Sequence, residues 1–282
     1  MKNLNYEKVF RSLVSGLKDY VVSNGLGSMI LGISGGIDST VVAAIASEVS
    51  KETGIPLFGR SLPTRNNKSS ETSTAILVGN AFCSKGEKIE GFKEVEIGEV
   101  YNQFLGWLEY CEDFGQTRIA NGNIQARLRM IYLYNMASRL SGIVLSTDNQ
   151  TEWNLGFWTI HGDVGDFNPL FGLWKSEVYE LANYLSSMYL KLGETDKWEA
   201  ISNSAALIPT DGLGISNSDL DQIGASSYQE VDTIFQSYFN GEDISGISPD
   251  VISKVLSRHS NSMFKRKNLP IVINRETDWE EV

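Results

Sequence analysis

Apolar positions recur at helical spacing through Leu4, Val9, Phe10, Leu13, Leu17 and Val21, which predicts an amphipathic helix near the N-terminus. The pattern then changes. A short apolar run, Met29-Ile30-Leu31, predicts a buried strand over 28–34, and a mostly apolar stretch behind it predicts a helix over 38–50. Leu57-Phe58-Gly59-Arg60-Ser61-Leu62-Pro63 reads as a second strand ended by proline, and residues 70–83 as a helix. A short strand is predicted at 94–97 and a helix at 99–110. Residues 121–140 form a long predicted helix with Ile124, Leu128, Ile131 and Asn135 on one face. Gly142-Ile143-Val144-Leu145-Ser146 is a further buried-type strand, and helices follow over 175–191, 227–239 and 249–262.

Strands alternating with helices predict an α/β fold, with one parallel sheet covered by helices on both faces. Ligands of such sheets sit beyond the carboxyl ends of the strands. The loops after 28–34, 57–62 and 143–147 are therefore expected to share one crevice. Residues 1–282 read as a single domain without internal repeats. Two polar stretches, 64–70 and 202–219, are read as mobile loops beside that crevice, the second as a lid.

Composition narrows the class. The net charge of −11 argues against a groove that tracks long nucleic acid, so no nucleic-acid partner is expected. A small anionic ligand held by local donors remains compatible with it. No run of 18 apolar residues predicts a membrane span, and the first residues lack a signal-peptide core, so a cytoplasmic protein is expected. Cys83 and Cys111 have no metal-ligand spacing and read as reduced thiols.

The chemistry starts at Gly32-Ile33-Ser34-Gly35-Gly36-Ile37-Asp38-Ser39, where the first strand passes through small residues into a helix. A helix N-terminus of this kind holds an anionic phosphate group. Gly35 and Gly36 admit close approach of a ligand, and Ser34 and Ser39 add hydroxyl donors beside exposed N–H groups. Asp38 would repel phosphate unless a cation sits between them, which points to Mg²⁺. The loop lacks the lysine of a Walker A motif.

Ser34-Gly35-Gly36-Ile37-Asp38-Ser39 resembles the pyrophosphate loop of the N-type ATP pyrophosphatases, which cleave ATP between its α- and β-phosphates. Further segments narrow the resemblance: Asn123-Ile124-Gln125-Ala126-Arg127-Leu128-Arg129-Met130, Thr147-Asp148-Asn149-Gln150-Thr151-Glu152, Gly162-Asp163-Val164-Gly165-Asp166, Lys175, Pro209-Thr210-Asp211 and Lys265-Arg266. In this order and spacing the chain resembles ammonia-dependent NAD⁺ synthetase from about residue 5 to 272. The resemblance implies an adenine nucleotide α-hydrolase-like, Rossmann-like fold. It implies that Gly32 through Ser39 bind ATP, with Thr147, Lys175 and Thr210 as further ATP contacts. Asp38 and Glu152 match magnesium ligands, Arg127 and Asp166 match contacts to deamido-NAD⁺, Asp163 lies near the attacking ammonia, and Lys265 matches half of a terminal His-Lys pair that reaches the dinucleotide.

Plain structural readings stand beside several of these. Arg127 and Arg129 fit a solvated helix face, and Asp163 and Asp166 fit turn formers. Trp153, Phe157 and Trp158 read as packing groups before base-stacking ones. The chain also departs from the family pattern. Ser146 stands where Gly is usual, Ile160 replaces a substrate-contacting lysine, the 163–166 loop is one residue short, and Phe264 replaces the histidine of the terminal pair. These changes cluster on the deamido-NAD⁺ side and leave the ATP side intact.

The resemblance thus implies ATP-dependent amidation of deamido-NAD⁺ by ammonia through an acyl-adenylate, releasing AMP and pyrophosphate, with Asp38, Asp163 and Lys175 as the catalytic residues. The sequence is read as leaving no room for a glutaminase module, so free ammonia, or ammonia from a separate partner, is the expected nitrogen donor. Related enzymes are homodimers, and the 121–140 helix is the candidate interface element, an interior position being the alternative. Two other readings are an adenylating enzyme acting on a different carboxylic acid and a non-catalytic nucleotide-binding module. Intact Asp38, Glu152 and Lys175 speak against the module.

Overall fold

The computed structural model describes residues 4–65, 67–86, 89–112, 115, 117–208 and 219–267. The first helix, α1 (Tyr6–Ser23), starts where the Asn5 side chain accepts a hydrogen bond from the Lys8 N–H. Next come β1 (Ser28–Gly32), α2 (Ile37–Thr53), β2 (Leu57–Ser61), α3 (Ser69–Phe82), β3 (Phe92–Glu94), α4 (Gly98–Cys111), α5 (Arg118–Arg139) and β4 (Gly142–Leu145). The second half is helical: α6 (Gln150–Leu155), α7 (Lys175–Leu192), α8 (Thr195–Ala206), α9 (Asp219–Ile223), α10 (Tyr228–Asn240) and α11 (Pro249–Asn261), followed by a 3₁₀ turn at Met263–Arg266.

The four strands form one parallel sheet in the order β3-β2-β1-β4. Side chains alternate across it. Met29, Leu31, Leu57, Ile143 and Leu145 pack into a core with α1, α2, α3, α7 and α8, whereas Ile30, Phe58 and Val144 pack against Met130, Leu133 and Ala137 of α5. Burial on both faces explains why the strands read as continuous apolar runs. A third cluster, built on Leu155, Trp174, Val231, Ile234, Phe235 and Val255, joins α6 and the start of α7 to α10 and α11.

The differences from the sequence expectation have physical causes. The third strand lies at Phe92–Glu94, earlier than the predicted 94–97, although Val95 and Ile97 still donate to the Ser61 and Pro63 carbonyls. Helix α5 buries Gln125, Ala126, Met130, Leu133 and Ala137, while Ile131 of the predicted stripe is 66% exposed. Met130, Leu133 and Ala137 face the sheet, while Ala126 faces the cavity. Helices α6, α8 and α9 were not predicted. Residues 202–206, read as the start of a mobile lid, are the last turn of α8, whose Ile201 and Ser204 are buried. Of the remainder, 209–218 lies outside the described residues, and Thr210 with it. In the other proposed loop, Thr64 is buried, Asn67 accepts from the Thr64 N–H, and Ser69–Ser70 already belong to α3.

Candidate active site

The carboxyl ends of β1, β2 and β4 open into one cavity of about 480 Å³. Its floor is the β1–α2 loop. Ser39 Oγ donates to the Gly36 carbonyl, lies 3.1 Å from Ser34 Oγ, and accepts from the Ser34 N–H. These bonds set the loop before any ligand binds. Gly35 has φ +88°, and a Cβ there would meet the Glu71 carbonyl oxygen at 2.3 Å, so no other residue fits without moving α3. Gly32, Ile33, Ser34, Gly36, Ile37, Asp38 and Ser39 all line the cavity, while Gly35 packs behind it.

Asp38 lies in the first turn of α2, Glu152 in the first turn of α6 and Lys175 at the first position of α7. The structure brings these three together. Lys175 Nζ donates to Asp38 Oδ2 and, at 2.8 Å, to Glu152 Oε1. Asn149 joins the group, donating its Nδ2 to Asp38 Oδ1 at 2.8 Å and its backbone N–H to Glu152 Oε2. The Lys175 side chain is only 3% exposed. Burial alone would lower its pKa, but the adjacent Asp38 and Glu152 carboxylates outweigh burial and hold it well above the ordinary lysine range. Lys175 is thus held as a cation between the two carboxyl groups. Among the described residues no group of three or more His, Cys, Asp or Glu side chains gathers to hold a metal. Asp38 and Glu152 do converge on one point, and two carboxylates fit a hard cation that takes its remaining oxygens from phosphate and water.

A second charged group lines the same cavity. Asp163 Oδ1 accepts the Thr159 N–H at 2.7 Å, and Thr159 Oγ1 donates to Asn123 Oδ1 at 2.8 Å. Burial pushes the Asp163 carboxyl up to about 6, against the pull of that N–H bond and of Lys265 and Arg129. Asp148 lies behind it, buried, with its carboxylate 2.6 Å from the donating Ser146 Oγ. Its pKa is raised well above the usual range by burial and by repulsion from Asp163. The cations nearby are engaged with neutral acceptors. Lys265 Nζ donates to the Gly156 and Trp158 carbonyls, and Arg129 donates to the Leu62 carbonyl and Asn67 Oδ1.

Thr147 and Lys265 line the cavity, but Arg127 and Asp166 do not. Arg127 is exposed and donates to the Ile160 carbonyl. Asp166 instead latches the 163–166 loop to the sheet, accepting from Tyr134 Oη at 2.9 Å and the Val144 N–H at 3.0 Å. Gly165 makes this close approach feasible, since a Cβ there would lie 2.6 Å from the Val144 carbonyl. Ile160 and the exposed Phe264 also stay out of the cavity. Sequence reasoning missed Asn149, although Asn149-x-x-Glu152 carries the capping-box signal that forms here. It also missed Asp148 and Asp232, whose environments have no local signature. Trp153 and Trp158 stack at 4.5 Å between ring centres, and of the two only Trp158 borders the cavity.

Comparison with known proteins places these observations. Residues 9–269 match the family model described as NAD synthase. The NH₃-dependent NAD⁺ synthetase of Thermoplasma acidophilum is 34% identical over 248 residues, spanning 87% of this chain and 90% of that protein. The structure of the NMN synthetase from Francisella tularensis superposes with a TM-score of 0.78 at 30% identity, covering 97% of this chain and all of the other. That of the NH₃-dependent NAD synthetase from Campylobacter jejuni gives 0.72 at 24% identity, covering 96% and 100%.

Proposed function

Because the chain belongs to the NAD synthase family, ligases that form a carbon–nitrogen bond, we propose that it activates a pyridine carboxylate with ATP and amidates it with ammonia. The preferred carboxylate is that of deamido-NAD⁺. The observation that carries this reading is Lys175 held between Asp38 and Glu152 at the mouth of the Ser34–Ser39 loop. The substrate carboxylate oxygen attacks the α-phosphorus of ATP, the bond to the β-phosphate breaks, and pyrophosphate leaves from an acyl-adenylate. The loop, with Ser34, Gly36 and Ser39 lining the cavity, would face the departing charge. Lys175 follows the phosphate. Asp38 and Glu152 would hold Mg²⁺, which when bound neutralises the phosphate oxygens. Ammonia nitrogen then attacks the activated carbonyl carbon, AMP departs, and Asp163 takes the extra proton from nitrogen. A buried carboxylate near pH 6 suits that transfer.

A second reading shares this chemistry and changes the acid to nicotinic acid mononucleotide. The Francisella tularensis NMN synthetase, similar over the whole chain, favours it, as does the position of Ile160 and Phe264 away from the cavity. One experiment separates the two. The pure protein is incubated with ATP, Mg²⁺, ammonium and either acid, and amide, AMP and pyrophosphate are measured. ADP as the main nucleotide product overturns the activation step, and the ratio of kcat/KM values decides the acid.

A homodimer fits the exposed apolar stripe Val100, Phe104, Trp107 and Tyr110 on α4 and the exposed Ile119 and Ile131 on α5. Trp107→Glu should shift the sedimentation mass toward the monomer. The described residues contain no helix long and apolar enough to cross a membrane, and a cytoplasmic site of action accords with that.

A further inference from the structure

Asp232 sits on α10, away from the cavity lining, yet its carboxylate is completely buried. Oδ1 accepts from Thr151 Oγ1 at 2.5 Å, and Oδ2 accepts the Ser176 N–H at 2.9 Å. Thr151 Oγ1 in turn accepts the Lys175 N–H at 2.8 Å. The N-cap residue of α7, Trp174, has no capping oxygen in its side chain, and the first N–H groups of the helix are left for outside acceptors. Thr151 and Asp232 supply them, one from α6 and one from α10. A carboxylate is also the favoured charge at a helix N-terminus. Thr151 directly precedes Glu152, and Ser176 directly follows Lys175. One turn before Asp232, Tyr228 of the same helix places its ring 5.4 Å from Lys175 Nζ.

We propose that Asp232 and Thr151 form a positioning bracket that fixes the Glu152 and Lys175 backbones relative to each other, so that only the lysine side chain moves when phosphate binds. The proposal rests on the ligase reading above. It assigns the C-terminal helices a part in the ATP step that their sequence does not advertise. Substitutions of residues that orient a charged site cost about 10–100-fold in activity or metal affinity.

The test uses the full chain in five forms: wild type, Thr151→Val, Thr151→Ser, Asp232→Asn and Ile234→Ala. The last opens a cavity in the same helix without touching the bracket, since Ile234 is buried in the third cluster. For each, the folded fraction is measured by circular dichroism, and kcat and the Mg²⁺ concentration for half-maximal rate are expressed per folded molecule. Thr151→Val and Asp232→Asn should lose about tenfold or more in kcat and require more Mg²⁺. Thr151→Ser should recover to near wild type, and Ile234→Ala should lose Tm while keeping kcat. Wild-type kcat and Mg²⁺ dependence in folded Thr151→Val and Asp232→Asn would overturn the bracket and leave the ligase reading standing. The same losses in Ile234→Ala would also overturn it, because stability alone would explain them. A wild-type protein that makes no amide from either acid removes the ligase reading and the bracket together.

Discussion

At one end of the cavity two carboxylates share one lysine, and the group ties α2, α6 and α7 together. At the other end two carboxylates repel each other, while the nearby lysine and arginine donate to carbonyl and amide oxygens. Both groups are largely removed from water, and both contain two acids. They differ in where the positive charge goes. Where the cation sits between the acids, the lysine is held charged, and on the proposed reading it can give way to an external cation. Where the cations are engaged elsewhere, burial drives the acids toward protonation. The first arrangement handles charge and the second handles protons.

Substitution at the first end tests this most severely. Asp38→Ala should lower kcat by about 10²-fold or more, since it removes an oxygen that on the proposed reading would serve the cation. The fold should persist, because Lys175 keeps Glu152. Lys175→Met should be as inactive and also destabilised by about 3–5 kcal/mol, because it leaves two carboxylates without their counter-charge. Thermal unfolding compares the two. Equal Tm values would show that the cluster is not balanced by its lysine.

The second end should respond to pH. With free ammonia held constant, kcat/KM should rise as pH rises through about 6, where Asp163 loses its proton. Asp163→Asn should flatten that limb and lower the plateau by about 10²-fold. Stability moves the other way. The folded pKa lies above the ordinary value of 3.8, so the contribution of Asp163 is fully present below 3.8 and is lost as pH rises through about 6. The asparagine variant should therefore gain stability relative to wild type above pH 6, and the gap should close on acidification. Loss of stability at pH 8 would contradict the assignment.

Ser146→Gly is a gentler probe. The Ser146 hydroxyl favours ionised Asp148. Without it Asp148 holds its proton more firmly, repels Asp163 less, and the acid limb should move to lower pH. The loss of one buried hydrogen bond should cost about 1 kcal/mol. The smallest effect is expected at Ile160→Lys. Ile160 stays outside the cavity, so the KM for the acid should change by no more than about threefold and less at high salt. A larger gain would mean that the substrate runs along the rim marked by Arg127, and would favour the dinucleotide over the mononucleotide.

Much of the fold was legible because strand burial and helix amphipathicity leave local periodic signals. The strands at 28–34, 57–63 and 142–146 and the long helices could be placed from apolar spacing alone. Helix α8 escaped because Ser202, Asn203 and Ser204 resemble a loop, and the buried Ser204 finds its hydroxyl partner, Thr40 of α2, 2.6 Å away only in the folded chain. Glu152 was recognised by motif, but its helix was missed because six residues are too few for a periodic signal. Asp166 shows the limit of motif reading. The resemblance implies a contact to the dinucleotide, and the structure adds that its carboxylate accepts from Tyr134 and the Val144 N–H, partners that no motif spacing reveals.

The sequence by itself determined the layered α/β plan, the phosphate-type loop and the family, because each rests on residues adjacent or periodic along the chain. Only the tertiary structure decided which charges meet. Asp38, Glu152 and Lys175 come from three helices, and their shared ion cluster exists because α2, α6 and α7 all begin at the same end of the sheet. The raised pKa of Asp163 and the buried hold of Asp232 on α7 are likewise properties of surroundings assembled across many residues. Burial and hydrogen-bond partners set such properties, and neither is written in local spacing.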